Sequence, residues 1–416
     1  MTRVSTNMPM TNAQFSIRHQ EQNMYNIQNQ ITGNKRLNRL SDDPIAASHA
    51  VRYDSYLTRL NRFERNIGYA QDHLNNTHDF LYSTNSILQR IRELSVQAAN
   101  GTYAPDDLKN MAVEVNELLK EIVSISNVLG PDTKQAFAGD KVFTQPFRIV
   151  EGRVEGGQET MITGVEYRGA GTSRNVEISD NNFLELDIGG DEAFWAERMQ
   201  IFSSVDATDY RVTENGAFFI DGVEIAVNIG DTLPAIVAKI NDSGAPVKAY
   251  IDINTRGLVL EGASAHLIRA EDKTGGAAVL RDLGIINGNM INNAPNWATS
   301  ARVAGGSVFD MVIRLRDAML RGDQDFIGSQ GKVGIDLALN NIVYRLADVS
   351  SRKQRADAAW YRVNQQIPNI AAMYEREAGL DLATAATDLK KAELAHQAIL
   401  STTARLLPQS LLNFLR

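Results

Sequence analysis

The sequence predicts an α+β multidomain chain. Discontinuous N- and C-terminal helices form a coiled-coil-like rod or bundle, and a β-rich central domain is inserted between them. Three observations predict this. Tyr53, Leu60, Ile67, Leu74, Leu81 and Leu88 recur at spacing seven, with Tyr56, Phe63, Ala70, Thr77, Thr84, Ile91 and Ala98 between them. That is an a/d seam sustained for about six heptads. A second stripe near the far end, Ile335, Leu339, Ile342, Leu346, Val349, Ala356, Trp360, Val363, Ile367, Ile370 and Tyr374, offers it a partner within the same chain. Between the two stripes, from about residue 143 to 306, the period drops toward two and Gly-containing turn dipeptides multiply. The expected division is therefore residues 1–40 with 376–416 as a terminal coiled-coil domain, disordered in the monomer. Residues 41–148 with 305–375 form a helical rod, and 149–304 a β-rich outer insert.

The elements follow in order. Residues 5–31 carry Met10, Ile17, Met24 and Ile31 at heptad spacing, with Ala13, Gln20 and Ile27 on the alternate sites. So thin a seam makes a helix that is marginal alone. A polar break over residues 33–40 leads to Ser41-Asp42-Asp43-Pro44. There Asp42 and Asp43 cap a helix and Pro44 sits where its missing N–H is harmless. The long helix runs to Ala99 and stops at Asn100-Gly101, with a span of roughly 80 Å. A second start at Ala104-Pro105-Asp106-Asp107 opens a helix with Leu108, Met111, Val115, Leu118, Ile122 and Ile125, ending at Gly130-Pro131 and completing an αα-hairpin.

In the insert, residues 217–220 and 223–227 flank Asp221-Gly222 and read as a hairpin, followed by a short helix over 232–240 and strands over 247–253 and 258–260. Residues 307–320 form a helix. A long helix then starts near 325–332, and Pro368 is expected to kink or divide it. The last stretch carries Leu382, Ala385, Leu389, Ala392, Ile399 and Leu406, interrupted by His396 and Thr403. It closes with Leu407, Leu411, Leu412, Phe414 and Leu415. That apolar end calls for burial in an assembly or cover by a chaperone.

Composition narrows the function classes. A chain of 416 residues with 43% apolar and 22% charged content is ordinary globular protein of more than one unit. A net charge of −8 argues against a nucleic-acid surface. The absence of cysteine excludes disulfides, thiol catalysis and thiolate metal sites. No run of apolar residues is long enough to insert in a membrane. The first 31 residues have no apolar h-region and are rich in Asn and Gln, so export, if any, is expected by a route other than a Sec-type signal.

Candidate chemistry is sparse. The six histidines, His19, His49, His73, His78, His266 and His396, include no HExxH pair, and His73 and His78 read as solvated. Gly262-Ala263-Ser264-Ala265-His266 lacks the final glycine of a nucleophile elbow, and Arg168-Gly169-Ala170-Gly171-Thr172 is too short for a dinucleotide fingerprint. Asp180, Asp187, Asp191 and Glu192 around Gly189-Gly190 read as a turn rather than a calcium loop. Trp360 reads as core. Catalytic, metal and cofactor sites are expected to be absent, leaving assembly contacts as the sites of interest.

Specific strings carry a resemblance. They are Arg3-Val4-Ser5-Thr6-Asn7-Met8, the run from Gly33 to Pro44, Glu93-Leu94-Ser95-Val96-Gln97-Ala98-Ala99-Asn100-Gly101-Thr102, Ala136-Phe137-Ala138-Gly139-Asp140, and the terminal Leu411-Leu412-Asn413-Phe414-Leu415-Arg416. Together they resemble the flagellin superfamily. The Arg39-Leu40-Ser41-Asp42-Asp43-Pro44 form and the Gln145-Pro146-Phe147 string are more similar to its hook–filament junction branch than to filament flagellin. Leu40 departs from the proline common in the family, and the resemblance is weak across the insert.

The resemblance implies a structural adaptor of the bacterial flagellum, exported through the flagellar type III apparatus to an extracellular or periplasmic filament base. Its partners would be further copies of itself in a ring, the first junction protein, flagellin and an export chaperone. The residues it points to for assembly or chaperone binding are Met10, Ile17, Met24, Ile27, Ile31, Leu389, Ile399, Leu406, Leu407, Leu411, Leu412, Phe414 and Leu415. The alternatives are a filament flagellin, an enzyme seated in the insert and a secreted coiled-coil adhesin.

Overall fold

The computed structural model describes residues 8–412 apart from 40, 42, 101, 102, 131, 158, 159, 172 and 289–295, with side chains described within 11–404. In chain order the first elements are α1 (Met8–Gly33), α2 (Pro44–Ala98), α3 (Pro105–Ser126), β1 (Phe147–Arg153), β2 (Thr160–Tyr167), β3 (Asn175–Ser179), β4 (Asn182–Glu185), α4 (Gly190–Ala193) and β5 (Gln200–Ser203). Then come β6 (Gly216–Ile220), β7 (Val223–Val227), α5 (Leu233–Asp242), β8 (Val247–Ile251), β9 (Leu258–Gly262), β10 (Ala270–Asp272), α6 (Val279–Asp282) and β11 (Ala301–Ala304). The chain closes with α7 (Val308–Arg321), α8 (Gln324–Phe326), a π-helical turn (Ile327–Gly331), α9 (Lys332–Ala378) and α10 (Leu382–Leu412). Long helices at both ends with a strand-rich middle are the fold class the sequence predicts.

The chain forms two compact units, Met1–Arg65 with Trp360–Arg416, and Asn66–Ala359. In the first, the two chain ends meet. α1 and α10 run antiparallel, joined by the Gln20 amide donating to the Ala392 carbonyl at 2.9 Å and, at the other end, by a bridge between Lys35 and Gly379. The loop after α1 turns at Asn34, whose φ of 49° lies in the left-handed region. It is then pinned by the Arg36 N–H on the Ala378 carbonyl at 2.8 Å.

Local chemistry sets the helix starts in this unit. The Asp43 carboxylate accepts from the Ala46 N–H at 3.1 Å, and Pro44 is the first helical residue of α2. Asp381 does the same for α10, accepting from the Ala383 N–H at 3.0 Å. The early part of α2 lies antiparallel to the late part of α9 through His49–Glu377 and Tyr56–Gln366 contacts at 3.3 and 3.5 Å. α9 is not divided at Pro368 as expected; the proline sits inside a continuous helix. Half-buried Ile367 and Ile370 hold this stretch in its pairing with α2, which offsets the one backbone bond Pro368 removes.

In the second unit the seam of α2 is realised. Ile67, Ala70, Leu74, Leu81, Leu88 and Ile91 are sealed from solvent, and α9 runs antiparallel to α2 through Gln71–Asp357 and Arg92–Asp336 pairs. α3 turns back along α2, with Arg90 paired to Glu114, and packs on α7. It ends at Ser126, four residues before the expected stop. The Asn127 side chain instead clamps the backbone of Phe147, donating at 3.0 Å and accepting at 2.9 Å.

All strand pairs here are antiparallel: β1–β2, β3–β4, a three-stranded sheet ordered β10-β6-β7, and a four-stranded sheet ordered β11-β5-β9-β8. The expected hairpin is β6–β7. Its Asp221-Gly222 turn has φ of 49° and 80°, the two positive angles a tight primed turn needs. Its neighbours β8 and β9 lie in the other sheet. Phe137, Phe147, Phe194 and Phe309 form a cluster of edge-on, tilted and stacked rings with centroids 5.0 to 5.5 Å apart, joining the strand region to α7.

Candidate assembly surfaces

The α1–α10 pair is built from a seven-residue repeat on both helices. Ala13, Ile17, Gln20, Met24, Ile27 and Ile31 face inward on α1, all only half-buried. On α10 the inward row is Ala385, Leu389, Ala392, His396, Ile399 and Thr403. The alanines let the helices approach closely, and the polar Gln20 is tolerated because it bonds a backbone carbonyl across the seam. The opposite faces are bare. Phe15 is 71% exposed and Leu394 58%, and Tyr25, Leu382 and Leu400 are also exposed. Single exposed apolar residues are ordinary, but five on two paired terminal helices, neither well buried in the monomer, leave surface for further helices to cover.

Of the residues the sequence singled out, Ile17, Met24, Ile27, Ile31, Leu389 and Ile399 come together in this seam. Met10 lies on α1, and Leu406, Leu407, Leu411 and Leu412 lie on α10, with their side chains outside the described residues, as are Phe414, Leu415 and Asp42 entirely. Asp43 and Pro44 form the start of α2.

Two readings of helical residues need correction. Trp360 is 43% exposed and is not core. Ala359 takes the buried position, as Ala338 does instead of Leu339 and Arg345 instead of Leu346. The stripe runs one residue earlier at these sites because small side chains, or one long enough to reach out, suit a close helix crossing. Arg345 does reach out, to Glu192 at 2.8 Å.

His73 is not solvated. It is buried, with Nε2 2.8 Å from Asp187 Oδ1. Arg174 holds the same carboxylate from its Nε at 2.7 Å and its other terminal nitrogen at 2.8 Å, and Arg352 on α9 donates to the Asp187 carbonyl at 3.0 Å. Burial alone would raise the Asp187 carboxyl, but the bonds from Arg174 and His73 outweigh it and hold it down at about 2. This cluster ties α2, α9 and the start of β3 together. Periodicity could not find it, because His73 and Arg352 lie more than a hundred residues from Asp187 and nothing local marks Arg174 as their shared partner.

The insert also brings Asp221 to Ser264 and His266, 45 residues from the histidine in sequence. Ser264 Oγ lies 3.2 Å from His266 Nδ1, and His266 Nε2 lies 3.2 Å from Asp221 Oδ2. The Ser264 carbonyl is nearer to Nδ1, at 3.0 Å, so both ring nitrogens are held in structural bonds rather than one being presented to the hydroxyl as a base. Asp221 is itself a turn residue, accepting from the Arg269 N–H at 2.8 Å. The arrangement braces the β6–β7 turn.

The chain matches two family models: the bacterial flagellin N-terminal helical region over residues 4–142, and the flagellin hook IN motif over residues 211–264. Over these two regions the chain is similar to the flagellins. Curated flagellins similar to it include one from Salmonella moscow, 23% identical over 88% of this chain and 65% of its own length, and one from Salmonella enteritidis, 26% identical over 66% and 50%. The flagellin FlaB1 of Treponema pallidum is 24% identical over 64% of this chain and 95% of its own length. The chain thus spans about half to two thirds of the length of the Salmonella flagellins it matches.

Solved structures similar to it include hook associated protein-3 of Legionella pneumophila, at 17% identity and TM-score 0.46 over 78% of this chain and 97% of that one. FlgL of Bacillus cereus matches at 14% identity and TM-score 0.42 over 78% and 99%. The N-terminal flagellin match covers α1 to α3 and reaches Phe137 of the aromatic cluster. The hook IN match covers β6 to β9 and ends at Ser264, beside His266.

Proposed function

We propose that this chain is a non-enzymatic structural subunit of the bacterial flagellum. It joins hook to filament by forming a ring between the first junction protein and flagellin, and it reaches that position through the flagellar type III export apparatus with the help of a chaperone. The single observation that carries the reading is the pairing of the two chain ends. α1 and α10 meet in a seam that is half-buried apart from Ala385 and Ala392, and they leave Phe15, Tyr25, Leu394 and Leu400 bare. Helices held so weakly in one copy gain burial by packing beside further copies, which suits a subunit that travels loosely folded and completes itself on assembly. The sequence strings around Ser41–Pro44 and Gln145–Phe147 support the junction role.

The filament role is the second reading, and the flagellin relatives favour it. Deleting the gene separates the two. A junction protein leaves hooks that lack filaments while flagellin is released unassembled, whereas loss of a filament subunit leaves the remaining flagellins assembling on intact junctions. Copy number gives an independent check, since a filament subunit is present in thousands of copies per appendage and a junction ring is not.

A further inference from the structure

Phe143, between α3 and β1, is the barest aromatic side chain among the described residues, at 84% exposed. Its backbone is pinned. The Lys141 N–H donates to the Ala138 carbonyl at 3.3 Å, the Thr144 N–H to the Lys141 carbonyl at 2.9 Å and the Gln135 N–H to the Val142 carbonyl at 2.8 Å. An apolar ring held on a braced turn loses little freedom when a partner covers it, which is the property of an interface anchor. Asp140 and Lys141 lie on the same turn. Both are exposed, and neither makes an ion pair among the described residues.

The same unit carries a recess of matching character. A cavity of about 360 Å³ lies where α7, the π-helical turn and the start of α9 meet, walled by Met311, Phe326 and Val333. That volume is at the low end of binding pockets. Gly331 also lines it, and a Cβ there would meet Leu315 at 3.0 Å and the Phe326 carbonyl at 3.2 Å, so the glycine lets the turn lie close on α7. Met311 is buried, and its flexible thioether suits an aromatic ring. Val333 is 55% exposed, so this wall is uncovered in the single copy. Glu197 and Arg314 complete the lining, and these two make no ion pair among the described residues either.

We propose that Phe143 of one copy seats in this recess of the next. The charges select the pairing. An acid and a base flank the ring, and a base and an acid stand at the recess, so Asp140 meets Arg314 and Lys141 meets Glu197. Exposed ion pairs are individually weak, so the ring supplies most of the affinity and the charges fix its orientation. The two faces are different surfaces, which makes the contact heterologous; repeated, it closes into a ring or runs on as a helix. The inference rests on the reading that copies of this chain assemble, and it names one contact of that assembly.

Sedimentation velocity of the full chain over a concentration series tests it. Phe143→Ala is expected to weaken self-association about thirtyfold, the loss of one aromatic anchor, with an unchanged melting temperature because the ring is bare in the single copy. Val333→Asp is expected to weaken it as much. An equimolar mixture of these two variants is expected to form heterodimers, since each supplies the face the other lacks. Arg314→Asp is expected to cost about threefold, and adding Asp140→Arg in the same chain to restore the association. Phe183→Ala, at a ring 56% exposed elsewhere in the unit, is expected to associate as wild type.

An association unchanged by Phe143→Ala, or weakened equally by Phe183→Ala, overturns the proposal. So does a wild-type chain that stays monomeric throughout, which leaves the recess to a side chain of a different protein. The flagellar reading is judged separately, by the gene deletion.

Discussion

Leu81 is sealed in the α2 seam, where a carboxylate would be cut off from water. Leu81→Asp is expected to destabilise the second unit by about 3 kcal/mol or more; an unchanged melting temperature would mean that the seam is open. The ionisable residues give a pH profile with two signs. Asp187 is held from 3.8 down to about 2, so its contribution, on the order of 2 kcal/mol, is present above pH 4 and lost as pH falls toward 2. Asp191 is raised to about 6 by burial, so it works the other way, and stability is gained as pH falls from 7 toward 4. Burial opposes the charge of His266, but its bond to Asp221 outweighs this and raises it. Its contribution is therefore present below its ordinary 6.5 and fades as pH rises through the raised value. Thermal unfolding should thus show maximum stability in mild acid, between about pH 4 and 6. Asp191→Asn should flatten the limb between neutrality and pH 5, and Asp187→Asn should remove the fall below pH 4. Neither carboxylate was legible in the sequence, where both sat in an apparent turn, because His73 and Arg269 are far away along the chain and no pattern marks the nearer Arg174 as a partner.

The helices were the most legible elements, and the reason is visible residue by residue. A heptad repeat fixes one face, and every a/d position of α2 from Leu60 to Ala98 that the sequence named is buried. Periodicity is less able to separate adjacent candidates where small residues pack best, so Ala359 was passed over for Trp360 and Leu119 for Leu118. The gap between α9 and α10 was also passed over. Its signal was local, a Gly379 stop followed by an Asp381 cap. The β6–β7 hairpin was readable from Asp221-Gly222, but its assignment to one sheet and of β8–β9 to another was not, because strand pairing is non-local. At the element scale the seam of α1 and α10 can be overfilled. Ala392→Leu is expected to cost about 1–3 kcal/mol of local pairing and to impair assembly, while leaving the melting of the second unit unchanged. Sedimentation and calorimetry measure the two effects. Removing residues 406–416 is expected to abolish incorporation or chaperone binding while sparing the fold of residues 45–375; normal incorporation of the truncated chain would count against an assembly role for that end.

For the whole molecule, the likeness to flagellins and the fold class were both present in the sequence strings and periodicity. The assembly contacts were named as residues, and their geometry came only with the fold. The account holds that the two ends pair within one copy but complete their burial only against other copies. Hydrogen exchange, read separately over α1 (Met8–Gly33) and α10 (Leu382–Leu412), tests this most directly by comparing dilute monomer with assembled protein. Fast exchange in the monomer and strong protection after assembly is the predicted result. Protection in the dilute monomer equal to that of the buried core of α2, with no gain on assembly, would contradict it.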